Sequence, residues 1–148
     1  WIILYGGVQA WAPKLLRAAD RPAEQIVQAA RAWVMALMVV PALLAALVAI
    51  AGAPAPWLTA TIVAGLLVFG ALFAVNSSLH SYLILAFTSD ERVTMDVGFY
   101  YMSNAAGRLL GTVLSGASYQ LGGLPLCLAT AAVMVALSAF GASRLGRG

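Results

Sequence analysis

Residues 96–119 read DVGFYYMSNAAGRLLGTVLSGASY, an apolar run that carries one full charge in its interior. A helix needs about 20 apolar residues to cross the hydrocarbon core of a bilayer, so this run predicts a membrane span. The interior charge is Arg108, and placing a cation there costs at least ~2.5 kcal/mol on insertion scales. Charges within membranes normally face the protein interior or water, so we expect this helix to line a solute pathway.

The polar side chains of this run predict a binding face for an anionic solute. A guanidinium offers a planar fork of donors that matches carboxylate or phosphate, which makes Arg108 the candidate anion ligand. Asn104 lies one helical turn before it, and Tyr100 and Tyr101 add hydroxyl groups. The alternative is a structural role, in which Arg108 pairs with a carboxylate elsewhere in the protein or with carbonyl groups at a helix end.

Small residues recur every four positions at Gly107, Gly111 and Ser115. This spacing allows two membrane helices to approach closely, so it predicts a packing face that could also serve in gating. Arg108 lies about 100° around the helix from Gly107. One face can therefore pack while the adjacent face looks into a cavity.

His80 follows Asn76 by one helical turn near the end of the preceding span. Histidine changes its charge most readily near neutral pH, so His80 and Asn76 are candidates for proton coupling. The alternative is a histidine at the membrane rim with no role in coupling.

The composition indicates a membrane protein. Hydrophobic residues make up 63% of the chain and charged residues 9%, with a mean hydropathy of +0.94; soluble domains average about 25% charged residues. No basic stripe with interleaved aromatic residues suggests a nucleic-acid partner. The single cysteine, Cys127, excludes an internal disulfide and offers no metal-ligand spacing. The sequence shows no hydrolytic, redox or phosphate-loop motif, so we expect no enzyme activity and no cofactor.

The hydropathy pattern predicts four complete spans and the end of a fifth, at residues 1–12 (partial), 32–51, 58–87, 97–119 and 124–143. Pro13 is expected to end the first, and PKLLRAADRP reads as a short loop. Segments GAPAP and QLGG read as tight, uncharged turns, and TSDERVTMD as a charged loop. Because the chain opens on Trp1 inside an apolar run, we expect it to be the C-terminal part of a longer membrane protein.

The charges fall on alternate loops. Segment 13–31 holds four of the eight basic residues, segment 88–96 holds one and the tail 144–148 holds two. Antiparallel spans bring these three segments to one membrane face, and the excess of positive charge predicts that this face is cytoplasmic. We therefore expect a multi-pass membrane protein with a cytoplasmic C-terminus, and we take the membrane to be a bacterial inner membrane.

Taken together, GGVQAWAP, the basic loop that follows it and NAAGRLLGTVLSG resemble the C-terminal half of a major facilitator superfamily transporter. The resemblance implies an all-α helical bundle, completed by an N-terminal half, that moves solutes by alternating access. More narrowly, WIILYGGVQAWAPKLL, SYLILAFTSDERVTMDVGFYYMSNAAGRLLGTVLSG and YQLGG are similar to the ArsJ-type organoarsenical efflux permeases. That similarity implies export of 1-arseno-3-phosphoglycerate, arsenate resistance and a functional link to a glyceraldehyde-3-phosphate dehydrogenase.

Two other functions remain open on the sequence. One is a transporter of the same superfamily that exports another organic anion or a drug. The other is a small membrane subunit with no transport role, against which the unpaired intramembrane Arg108 argues.

Overall fold

The computed structural model of the chain describes residues 2–16, 22–88 and 92–144, and this part contains helices and no strands. The helices are α1 (Ile2–Leu16), α2 (Ala23–Ala51), α3 (Pro56–Phe87) and α4 (Val93–Arg144). Among the described residues, α2, α3 and α4 are long and apolar enough to cross a membrane. The predicted all-α membrane class is therefore confirmed.

Helix α4 folds back on itself at two glycines. Gly122 (φ −148°, ψ 19°) and Gly123 (φ 64°, ψ −157°) have non-helical backbone angles. Ser115 Oγ lies 3.3 Å from Cys127 Sγ, whereas these residues would be about 18 Å apart along a straight helix. The first arm (residues 93–121) and the second arm (residues 124–144) are therefore antiparallel, and the break lies in the QLGG segment.

Helix α2 holds its neighbours through one apolar row. Its buried residues alternate spacings of three and four, which places them on one side of the helix: Val27, Ala30, Val34, Leu37, Pro41 and Leu44. Val34 packs against Ala139 and Ala142 of the second arm. At the other end, Leu44 lies so close to Gly65 of α3 that a Cβ there would come within 2.9 Å of the leucine.

Pro13 does not end the first helix, contrary to the prediction from the sequence. Helix α1 continues to Leu16, although a proline lacks the N–H that would bond the carbonyl four residues earlier, here Gln9. The hydroxyl of Ser78 on α3 lies 3.5 Å from that carbonyl, and it also donates to the Ala74 carbonyl of its own helix at the shorter distance of 3.0 Å. The freed acceptor therefore shares the Ser78 hydroxyl, a type of contact that membrane helices use beside prolines.

Two helices begin earlier than the sequence predicted. Helix α2 starts at Ala23 instead of residue 32, and α4 starts at Val93 instead of residue 97. The early turns of α2 are held by burial, since Ile26, Val27 and Ala30 pack against α1 and α3. Much of the two charged loops, residues 17–21 and 89–91, lies outside the described residues.

The helix directions bring the charges to one end of the bundle. Helix α1 runs parallel to α3, with Tyr5 and Phe73 ring centroids 6.0 Å apart and Gln9 bonded to Ser78. The second arm runs antiparallel to α2, since Arg31 Nε donates to the Ala142 carbonyl at 3.1 Å. The part of the chain that the structure describes has these charged residues at one end: Lys14, Glu24, Arg31, Arg92, Asp96 and Arg144. We call this the charged end; the turns at residues 52–55 and 122–123 mark the uncharged end.

Gly123 gives a test of the hairpin. Its backbone angles lie in a region that is essentially restricted to glycine, and a side chain there costs on the order of 1–3 kcal/mol. We expect Gly123→Ala to lower the thermal unfolding temperature of the purified protein. The control is Gly116→Ala, because Gly116 is helical and a Cβ there meets nothing within 4 Å. Equal unfolding temperatures for the two variants would contradict the hairpin.

Candidate functional site

The first arm of α4 is held near its ends and not in between. Near the charged end, the Thr88 hydroxyl donates to the Asp96 carboxylate, and the Tyr100 hydroxyl lies 3.2 Å from Ser81 Oγ. Near the uncharged end, Ser115 contacts Cys127 of the second arm. Every residue from 101 to 117 is exposed.

The exposed middle includes a face that is turned toward the bundle. Alternating spacings of four and three place six residues on one side of the first arm: Tyr100, Asn104, Gly107, Gly111, Leu114 and Ser118. The first of these contacts α3 and the last is buried, so the row points inward. Nevertheless, the helix's own backbone aside, no atom in the described part of the chain comes within 4 Å of a Cβ built at Gly107 or Gly111. We call Asn104, Gly107 and Gly111 the open face.

Contacts between helices give the depth of this face. The Arg31–Ala142 hydrogen bond sets the register of the second arm against α2. The Leu44–Gly65 contact sets the register of α3 against α2, and the Ser81–Tyr100 contact sets the register of the first arm against α3. Counting about 1.5 Å per residue from these contacts places Arg31, Ser78, Ser103 and Ala142 at one level. We call it the Arg31 level. From there to the end of α2 at Ala51 is about 30 Å, the thickness of a bilayer hydrocarbon core.

Arg108 lies beside the open face, one turn after Asn104. It is five residues beyond Ser103, hence about 8 Å inside the Arg31 level and about 21 Å from the turn at Gly122. The sequence placed it near the middle of its span, and the structure places it in the third nearest the charged end. Its side chain is exposed, and its guanidinium makes no hydrogen bond or ion pair within the described residues.

The two tyrosines have different environments. The Tyr100 hydroxyl is engaged with Ser81 of α3, whereas the Tyr101 side chain is 66% exposed. Their ring centroids are 5.5 Å apart. Tyr100 therefore fixes the first arm to α3 at the charged side of the open face, and Tyr101 has the freer hydroxyl.

The small-residue face divides into two parts. Gly107 and Gly111 meet open space, and Ser115 contacts Cys127. A close helix neighbour for the two glycines is not among the described residues, so the packing role stays a prediction.

His80 and Asn76 form a separate polar pair on α3, within about 3 Å of the Arg31 level. His80 Nδ1 lies 2.8 Å from the backbone oxygen of Asn76. Because a carbonyl only accepts, Nδ1 carries the hydrogen. Asn76 is 8% exposed, and its buried side-chain oxygen has no hydrogen-bond partner among the residues that the structure describes. Within the described residues this pair has no hydrogen bond to Arg108, Asn104 or the tyrosines, and its role in coupling stays a prediction.

Sequence reasoning missed the contacts that position the first arm. Ser81 was passed over because it is one of several serines near the end of its span, and only the fold shows which one faces Tyr100. Asp96 was assigned to a loop, although a carboxylate before an apolar run is a common feature of a first helical turn.

The described residues contain no group of three or more His, Cys, Asp or Glu side chains that could hold a metal ion. A comparison with known proteins finds no matching family model, curated protein or solved structure. The transporter resemblance of the sequence therefore stays an expectation, and the assignment of function depends on the open face.

The open face predicts a hydrated strip along one side of the first arm. Hydrophilic methanethiosulfonate reagents attack thiolates, which form in water and not in lipid. In a Cys127→Ala protein, we expect Gly111→Cys to react quickly. Val113→Cys should not react, because Val113 lies at a similar depth on the opposite side of the helix and is exposed to lipid. Equal reactivity at the two positions would show that the open face is not a water path.

Proposed function

We propose that this chain is part of a membrane transporter for an anionic solute, and that the first arm of α4 lines the solute path. The observation that carries the proposal is the open face, where, the helix's own backbone aside, none of the described residues comes within 4 Å of a Cβ built at Gly107 or Gly111, next to Arg108. Polar side chains at this depth are costly unless water or a ligand meets them.

The residues around the open face suit an anion that also carries hydroxyl groups. Arg108 supplies the positive charge and a bidentate fork. The Asn104 amide and the Tyr101 hydroxyl each donate and accept, so both can bond neutral parts of the solute. Glycines at positions 107 and 111 leave room for the solute beside the backbone.

The depth of Arg108 supports export. The excess of positive charge makes the charged end cytoplasmic, and Arg108 lies about 8 Å inside the Arg31 level. A solute entering from the cytoplasm therefore meets this cation early. A phosphorylated arsenate ester, the solute implied by the resemblance to ArsJ-type permeases, is multiply anionic and is our first candidate.

A membrane subunit without transport is the competing function, and one feature favours it. The side chain of a helical residue leans toward the helix N-terminus, and for Arg108 that direction leads to the charged end. A long basic side chain can place its charge near the lipid head groups while its stem stays in lipid. Arg108 could then be tolerated with no ligand.

Arg108 variants separate an arginine that binds the solute from one whose charge only reaches the lipid head groups. Losing a charge-assisted contact costs ~1.5–3 kcal/mol, a loss of roughly ten- to 150-fold in affinity. We expect Arg108→Lys to be impaired, because a point charge replaces a planar fork, and Arg108→Gln to be worse. The assay is arsenate resistance in an arsenic-sensitive strain that also expresses the partner dehydrogenase.

Membrane abundance of each variant is measured in the same cultures, and Arg92→Gln is the control because Arg92 is an exposed arginine at the charged end. If the charge merely reaches the head groups, Arg108→Lys should retain full activity. Full resistance from Arg108→Gln at normal abundance would remove Arg108 from the path. No resistance from the wild-type protein would exclude the arsenical and leave the transporter proposal to be tested with other anions.

The orientation of the chain gives a further test. In intact cells that express a Cys127→Ala protein, a membrane-impermeant maleimide should label Ala53→Cys, which lies in the turn at the uncharged end. It should leave Glu24→Cys and Thr94→Cys unlabelled until the cells are permeabilised, because both positions lie at the charged end. Labelling of Glu24→Cys in intact cells would reverse the orientation and with it the argument for export.

A further inference from the structure

Helix α4 is fastened to α2 and α3 at the charged end. The hydrogen bonds that the described residues show between α4 and this pair of helices, or the cap of α3, are Arg31–Ala142, Ser81–Tyr100 and Thr88–Asp96. Val34 of α2 adds apolar contacts with Ala139 and Ala142, near the end of α4. Both arms of α4 are therefore held at the same end of the bundle.

A crevice separates the other end of α4 from α2 and α3. Its volume is about 370 Å³. The lining is apolar and comes from the end of α2, the start of α3 and the start of the second arm, including Val48, Ala49, Leu58, Ile62, Leu124 and Pro125. We call it the hairpin crevice, because it lies next to the turn at Gly122 and Gly123.

An enclosed void lies along the same seam, between the hairpin crevice and the charged end. Its volume is about 60 Å³, and its lining includes Pro41, Leu44, Phe69, Leu128 and Ala131. Leu44 also lies against Gly65, so α2 and α3 are in close contact at this level. The second arm of α4 is therefore the loosely packed partner on this side of the bundle.

Gaps between apolar helices favour a second, closed arrangement. Protein interiors normally reach the packing density of organic crystals, and atoms that face a gap lose dispersion contacts with the opposite wall. Moving the start of the second arm toward α2 and α3 regains these contacts. The charged end stays in place during this movement, because the hydrogen bonds and the Val34 contacts lie there.

The two arms of α4 can move as one unit. Gly122 and Gly123 join them, and the side chains of Ser115 and Cys127 are in contact across the hairpin, with Oγ and Sγ 3.3 Å apart. A displacement of the second arm at Leu124 therefore carries the neighbouring part of the first arm with it.

We propose that the α4 hairpin pivots on α2 and α3 about the charged end, and that the hairpin crevice closes in the second state. From Ala142 to Leu124 is about 27 Å, so a rotation of about 10° moves the hairpin end by about 5 Å. The open face lies on the moving arm, so the movement changes access to it from the uncharged end. That role in transport rests on the proposed function, whereas the movement itself does not.

The test measures distances between spin labels by double electron–electron resonance in the full-length protein in lipid nanodiscs. Native cysteines are replaced, with Cys127→Ser keeping a hydroxyl beside Ser115. One labelled pair, Ile3→Cys with Leu121→Cys, joins exposed positions of α1 and the hairpin end. We expect two distances that differ by about 5 Å. The matched pair, Lys14→Cys with Gly141→Cys, joins exposed positions of the same two helices at the charged end and should give one.

A substitution that fills the crevice should remove the closed state. Ala49 lines the crevice and is exposed, so Ala49→Phe places a ring in the space that closure requires. We expect the shorter distance of the first pair to disappear in this variant. Ala60→Phe is the control, because Ala60 is an exposed alanine at the same end of the bundle, and it should keep both distances.

Three results would overturn the proposal. The wild-type protein could give one narrow distance for the first pair, a result that needs no further variant to fold. Both pairs could give two distances, and the charged end would then not be the pivot. Ala49→Phe could keep the shorter distance, and the crevice would then not be the space that closes. The measurement does not use transport, so this proposal and the transporter proposal can fail separately.

Discussion

Apolar side chains gain free energy by leaving water but gain almost none by leaving lipid, and this difference governs how the helices of the chain pack. The larger buried cluster of the described residues lies toward the charged end, where α1, α2 and α3 meet. In the most apolar windows of α2, α3 and α4, only 22%, 17% and 11% of the residues are buried. Few buried side chains therefore join the helices along their most apolar stretches.

The position of the first arm of α4 follows from this constraint. Its contacts with α3 are hydrogen bonds near the charged end, and Ser115 meets the second arm near the hairpin. In the part of the chain that the structure describes, the middle of this arm is exposed along residues 101–117, and in a bilayer its large apolar groups gain little by packing against the bundle instead of lipid. Asn104 and Arg108, the polar side chains of the same segment, are costly to place in lipid. A hydrated path next to the first arm would solvate these two side chains and would not require the apolar ones to pack, and this is the physical basis of the transporter proposal.

Much of the fold could be predicted from the sequence. Composition and the lengths of the apolar runs predicted the all-α membrane class, and the placement of the basic residues predicted one charged end. The first helix does not end at Pro13 as predicted, and α2 begins at Ala23, before the membrane span that was predicted from residue 32. Ser78 Oγ lies 3.5 Å from the Gln9 carbonyl that Pro13 leaves free, and Ile26 and Val27 in the early turns of α2 are buried against other helices. Neither partner is near in the sequence.

The sequence by itself determined which side chains carry chemistry and that they lie on one helix, because residue type and the 3.6-residue period are local properties. It singled out Arg108, Asn104, Tyr100, Tyr101 and the glycines between them. Only the tertiary structure decided their depth and surroundings. The Leu44–Gly65 contact and the Arg31–Ala142 and Ser81–Tyr100 hydrogen bonds set the registers that place Arg108 near the charged end. Such registers arise from contacts between distant parts of the chain, and no periodicity within one helix encodes them.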